Sequence, residues 1–156
     1  MGMRKSLAPR LIVGGALLIV ASAAVAIILP SLLYPKTDLW LGDGIFRVNI
    51  AMTENERSQG WGVQKPATNQ AWVMAFPNED VWAVETGDTE VSVDIVWLNQ
   101  DKKVVHIVKN APSEKDEFKP ATKSKYAIKL RAGTVDSKAI TLNRTAIFDI
   151  NTEDIK

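Results

Sequence analysis

The side chains best placed to do chemistry are a group of acids and a set of tryptophans. Glu85, Asp88, Glu90 and Asp94 fall within ten residues. Carboxylates that dense suit a calcium site or a pair working as acid and base in hydrolysis. The Asp-rich spacing of a calcium loop is missing, however, and a hairpin turn with solvated acids accounts for the group without a metal. Asp94 stands apart, because Val96 and Leu98 share its strand face. A carboxylate there is costly unless hydrogen-bonded or paired. Its first expected role is therefore a structural hydrogen bond, and its second is to face a ligand. The chain has five tryptophans. Such residues stack on sugars or bases, or anchor a protein partner. Trp72, Trp82 and Trp97 lie in strand-like runs and are expected to be mostly buried. Trp61, between a short helix and a polar loop, is expected to be exposed.

Other chemistries are missing. The 156 residues contain no cysteine and one histidine, His106, which sits in an apolar strand and has no partners for zinc. No HExxH, GxSxG, phosphate-loop or dinucleotide motif occurs. No catalytic residue, metal or cofactor is assigned on this reading. From Lys102 to Arg131 there are nine basic residues and, counting Asp101, four acids. That stretch could dock on anionic lipid headgroups or cell-wall polymers, but a solvated lysine-rich loop is the commoner explanation. The sequon Asn143-Arg144-Thr145 matters only in a eukaryotic secretory pathway.

The elements that must position these residues are mostly strands. Ile45–Ile50 alternates apolar and polar at period two. Thr53-Glu54-Asn55-Glu56 has capping-box spacing, predicting one or two helical turns that end at Gly60. Trp72–Phe76 reads as a buried strand stopped by Pro77-Asn78, and Val81–Val84 as a further short one. Val91–Leu98 is the clearest strand. Asn99–Lys103 makes a tight connection to Val104–Val108, its expected hairpin partner. Residues 110–125 read as an exposed loop, Tyr126–Arg131 as an alternating strand and Ala146–Ile150 as the last one. This spacing predicts a mainly β domain, an antiparallel sandwich or barrel with short helical turns.

Ahead of it, Leu11 to Leu33 carries no charge. As a helix it would be roughly 34 Å long, enough for a hydrocarbon core of about 30 Å. An uncleaved signal-anchor is the leading reading. A cleaved signal peptide with Ala24-Val25-Ala26 as its processing site, or a buried soluble helix, is the alternative. Arg4, Lys5 and Arg10 precede the run without an acid, which keeps that end in the cytoplasm. The expected organisation is a basic tail over 1–10, a transmembrane helix over 11–33, a linker over 34–44 and an extracytoplasmic β domain over 45–156. Of 19 basic residues three lie before the anchor, leaving 16 against 18 acids, a net of −2 for the exported part. That balance argues against nucleic acid as a partner. The expected partners are the lipid bilayer, through 11–33, and an envelope protein or cell-wall polymer.

The order of motifs resembles the domain of unknown function 192 family of small exported bacterial and archaeal proteins. Ala51, Thr53, Arg57 and Gly60 resemble its opening, and Trp72–Phe76 its second strand. Val81-Trp82 with Thr86 resembles its Phe-Trp…Thr segment. Val93–Leu98 resembles its Leu-Asp strand, and Ala111-Pro112 and Tyr126–Leu130 with Ala132-Gly133 complete the order over residues 46 to 150. Ala83-Val84-Glu85 departs from the usual Met-Lys-Asn, with two extra residues around Gly87-Asp88. Lys129 replaces the usual glutamate, and the late Gly-Asp pair has no clear counterpart near Asn143-Arg144. The resemblance implies a sandwich-like β fold and export, and carries no assigned activity. The expected function is a non-enzymatic binding module at the cell envelope. A small-molecule or carbohydrate site in a tryptophan-lined cleft comes second, and a carboxylate-based hydrolase last. The candidate ligand residues are Trp61, Trp82, Thr86 and Asp94.

Overall fold

The computed structural model describes residues 37–62 and 65–156. The expected membrane helix over 11–33 lies outside them. Among the described residues no helix is long and apolar enough to cross a membrane.

Eight strands follow in chain order: β1 Thr37–Leu41, β2 Gly44–Ala51, β3 Gln70–Asp80, β4 Val84–Glu85, β5 Val93–Leu98, β6 Val104–Ala111, β7 Glu117–Phe118 and β8 Ser124–Arg131. Among the described residues two short α-helices, α1 Glu54–Gln59 and α2 Thr134–Ser137, lie between and after them. Six strands form one sheet in the order β1-β2-β3-β8-β5-β6, and β4 pairs with β7 in a small second one. The domain is mainly β, as the periodicity predicts, but the expected antiparallel sandwich or barrel is corrected to a mixed sheet. Strands β2 and β3 run parallel, Arg47 beside Gln70 and Ala51 beside Met74. A parallel pair needs a crossover, and the segment carrying α1 supplies it.

Three further expectations change. Residues 37–41 of the expected linker form β1, with Trp40 paired to Ile45, because Leu39 and Leu41 are buried. The 110–125 loop contains β7, whose Phe118 pairs with Val84, so only the end of the Val81–Val84 run is a strand. Ala146–Ile150 is not a strand. Instead, single bridges join Thr145 to Lys103 and Ile147 to Trp40. This segment thus reaches from one sheet edge to the other without closing a barrel.

The sheet is covered on both faces. All six residues of β5 are buried. Val96 and Leu98 pack with Phe46, Ile128 and Leu130 in one cluster. Ile95 and Trp97 pack with Trp72, Met74 and Phe76 in another. The alternation read over Val91–Leu98 therefore sorts residues between two cores rather than between core and water. The predicted hairpin forms as β5 and β6, and Asn99 Oδ1 caps its turn by accepting from Lys103 N at 2.9 Å.

Candidate functional site

The capping box at α1 is present in both directions. Thr53 Oγ1 accepts from Glu56 N at 3.3 Å, and Glu56 Oε2 accepts from Thr53 N at 2.9 Å. The helix ends at Gly60, φ +72, where an added Cβ would lie 2.8 Å from Cβ of Asp88. Glycine is needed there for the backbone angle and for the close approach.

A cleft of ≈ 340 Å³ lies beneath α1, walled by α1, β3, β4, β8 and the 86–88 loop. Its apolar lining is Met74, Phe76 and Val84, and its charged lining includes Arg57, Glu85, Asp88 and Lys129. Arg57 donates to three backbone carbonyls: Met52 at 3.0 Å, Ala75 at 2.7 Å and Lys156 at 2.8 Å. Its guanidinium carbon also lies 5.3 Å from the centroid of the Phe76 ring. Burial lowers the Arg57 pKa, and Glu54 and Glu56 oppose that shift. An arginine stays charged regardless.

Lys129 is the least expected feature. It occupies an apolar strand, its side chain is 4% exposed, and Nζ donates to Asp88 Oδ1 at 2.7 Å. Asp88 Oδ2 accepts from Trp61 N at 2.7 Å. The Asp88 carboxylate thereby neutralises Lys129 and ties down the chain leaving α1. A buried cation without that partner would be strongly destabilising.

The four sequence-predicted site residues do not converge. Thr86 does line the cleft. Its hydroxyl donates to the Glu114 carbonyl at 2.5 Å and accepts from Asp116 N at 3.2 Å, holding the loop before β7. Trp82 is half-buried and stacks on Phe76 at 4.7 Å with 3° between the planes. Its Nε1 donates to the Asn78 carbonyl at 2.9 Å. The aromatic wall is thus Phe76, with Trp82 stacked on it. Trp61 is 4% exposed, contrary to expectation, because its N–H is drawn to Asp88 and its indole joins the cluster with Trp72. It lines a separate hollow of ≈ 270 Å³ with Asp38, Arg47 and Gln70. Asp94 is fully buried and on the opposite sheet face from the cleft. Its Oδ1 accepts from Asn110 N at 2.9 Å and its Oδ2 from Val135 N at 2.8 Å.

The acidic group is dispersed. Glu85 lies 3.7 Å from Lys115, Glu90 3.1 Å from Lys65, and Asp88 and Asp94 are committed as above. Sequence reasoning missed Arg57, Phe76, Asp88 and Lys129 as one lining. No local signal marked Lys129, which falls on the polar side of the alternating Tyr126–Arg131 run and is buried only because that face of the sheet is covered as well.

A six-stranded mixed sheet, covered on both faces and carrying a cleft beneath its crossover helix, defines a small mainly β domain. The chain belongs to the domain of unknown function 192 family, described as "Uncharacterized ACR", whose profile matches residues 40–146. Its fold is similar to that of a protein from Sinorhizobium meliloti 1021 described provisionally as a transcription regulator. The TM-score is 0.66 at 20% identity, covering 74% of this chain and 95% of that one. It is also similar to a protein of unknown function from Novosphingobium aromaticivorans DSM 12444. There the TM-score is 0.64 at 16% identity, covering 73% of this chain and 84% of that one. No curated protein matches the chain.

Proposed function

We propose that this chain is a non-enzymatic binding module, carried on the outer side of a cell membrane by residues 11–33, and that the cleft beneath α1 holds its ligand. The observation that carries the reading is convergence. Arg57, Gly60, Met74, Phe76 and Thr86 all belong to segments that resemble the family, are scattered over thirty residues, and line one cleft. Lys129 and Asp88 are paired with each other, and Arg57 is held by three backbone carbonyls, which suits holding a ligand better than moving protons. Spare donors remain. Arg57 uses three of its five N–H groups and Lys129 one of three. Met74, Phe76 and Val84 offer an apolar floor. A small ligand with an apolar body and an acceptor end fits this lining, and the volume falls in the range of small-molecule sites. The carbohydrate reading has weaker support, because Trp82 stacks on Phe76 rather than lining the cleft.

The test is a fragment screen against the full chain in detergent, followed by amide NMR. Hits are expected to shift residues of α1, β3 and β4 together. Ser58→Trp, a substitution at an exposed lining position, is expected to weaken them at least tenfold. Hits that map elsewhere, or that ignore the blocking tryptophan, would overturn the assignment.

A further inference from the structure

We propose that the outer face of the β1–β2 ribbon docks onto the headgroup region of the bilayer that residues 11–33 cross; this rests on the membrane-anchor reading above. The evidence is a row of three large apolar side chains facing water. Trp40 is 55% exposed, Ile45 55% and Ile147 65%. Trp40 lies directly opposite Ile45 in the β1–β2 register. On its other side it exchanges both backbone hydrogen bonds with Ile147, each at 2.9 Å. Residues directly opposite in an antiparallel pair project to the same face. The three side chains therefore stand side by side across three neighbouring segments, while Leu39, Leu41 and Phe46 point the other way into the core. Nothing in the fold requires apolar residues here, because these positions alternate with the buried set.

The place of the row along the chain identifies its occupant. The apolar run ends at Leu33, and Trp40 follows seven residues later. Those residues reach at most about 25 Å even fully extended. A domain of this length has a radius of gyration of about 14 Å and is roughly 35 Å across. The tether is shorter than the domain is wide, so β1 stays within reach of the headgroup region. Aromatic and aliphatic side chains at that depth are the usual interfacial anchors. A second copy of the chain is the poorer candidate. Whole aromatic side chains bury about 150–250 Å² each, so this row offers only a few hundred. A stable protein interface needs about 800 Å² per partner. Tethering removes that requirement for lipid, because the row is presented to the bilayer at high effective concentration.

The chain has no cysteine, so single thiol probes report one position each. The full chain carrying Ile45→Cys, Ile147→Cys or Val81→Cys is labelled with a small fluorophore and reconstituted in vesicles of phosphatidylcholine and phosphatidylglycerol. Val81 is 46% exposed and follows the far end of β3, an 11-residue strand. Quenching by aqueous iodide is expected to be about fivefold weaker at positions 45 and 147 than at 81, as for side chains seated in an interface. Brominated lipid is expected to quench in the reverse order. Adding Trp40→Ser is expected to abolish the protection while the chain still floats with the vesicles. Equal iodide quenching at all three positions in a floating chain overturns the docking and leaves the anchor standing. A chain that fails to float overturns both. Protection that disappears on protein dilution at constant lipid assigns the face to a second copy and also overturns the proposal.

Discussion

Asp94 shows how a single carboxylate can look functional and be structural. Its place beside Val96 and Leu98 demands satisfied oxygens, and that much was legible in the spacing. The identity of the donors was not, since Asn110 and Val135 are brought to it by β6 and α2. Asp94→Ala would leave the buried Val135 N–H without an acceptor and remove the part-buried bond from Asn110. At about 1–3 kcal/mol for a buried unsatisfied donor, the expected loss is about 2 kcal/mol, read as a shift in the urea midpoint at unchanged m. Faster hydrogen exchange at Val135 should accompany it. A variant of wild-type stability would show that the carboxylate is not a structural acceptor. Trp61 teaches the opposite lesson. A polar sequence neighbourhood suggested exposure, but the contact that buries it comes from Asp88, 27 residues away. No local pattern reports such a contact.

Strand β8 was legible by alternation, and β3 as an unbroken apolar run, the pattern left when both faces of a strand are covered. Strand β1 was missed although Leu39 and Leu41 alternate with Asp38 and Trp40, because five residues just after a long apolar run resemble a linker. The parallel β2–β3 pairing is invisible to periodicity, which reports faces and not directions. At β8, Tyr126 meets Phe148 edge-on at 5.4 Å, joining the strand to the C-terminal segment. Burial raises the Tyr126 pKa, so the folded state holds the phenol proton more tightly than the unfolded chain. The resulting stabilisation is complete below about pH 10, the ordinary tyrosine value, and is lost as pH rises through the higher folded value. Tyr126→Phe should therefore show a shallower fall in Tm above pH 10 than the wild type, with the two curves parallel at neutral pH. Parallel curves throughout the alkaline range would contradict a proton held by burial.

The whole molecule joins a greasy leader to a domain with two features facing out, a cleft beneath α1 and an apolar row on β1–β2. The proposed placement of the domain on the outer side of a membrane rests on three bases ahead of an uncharged run. Glu85 lines the cleft from an exposed position, and Glu85→Cys would be the only thiol in the chain. The direct test is to treat intact cells with a membrane-impermeant maleimide. The account predicts full labelling of Glu85→Cys before lysis, at the rate of a free surface thiol. Labelling that appears only after the cells are broken would put the cleft in the cytoplasm and contradict it.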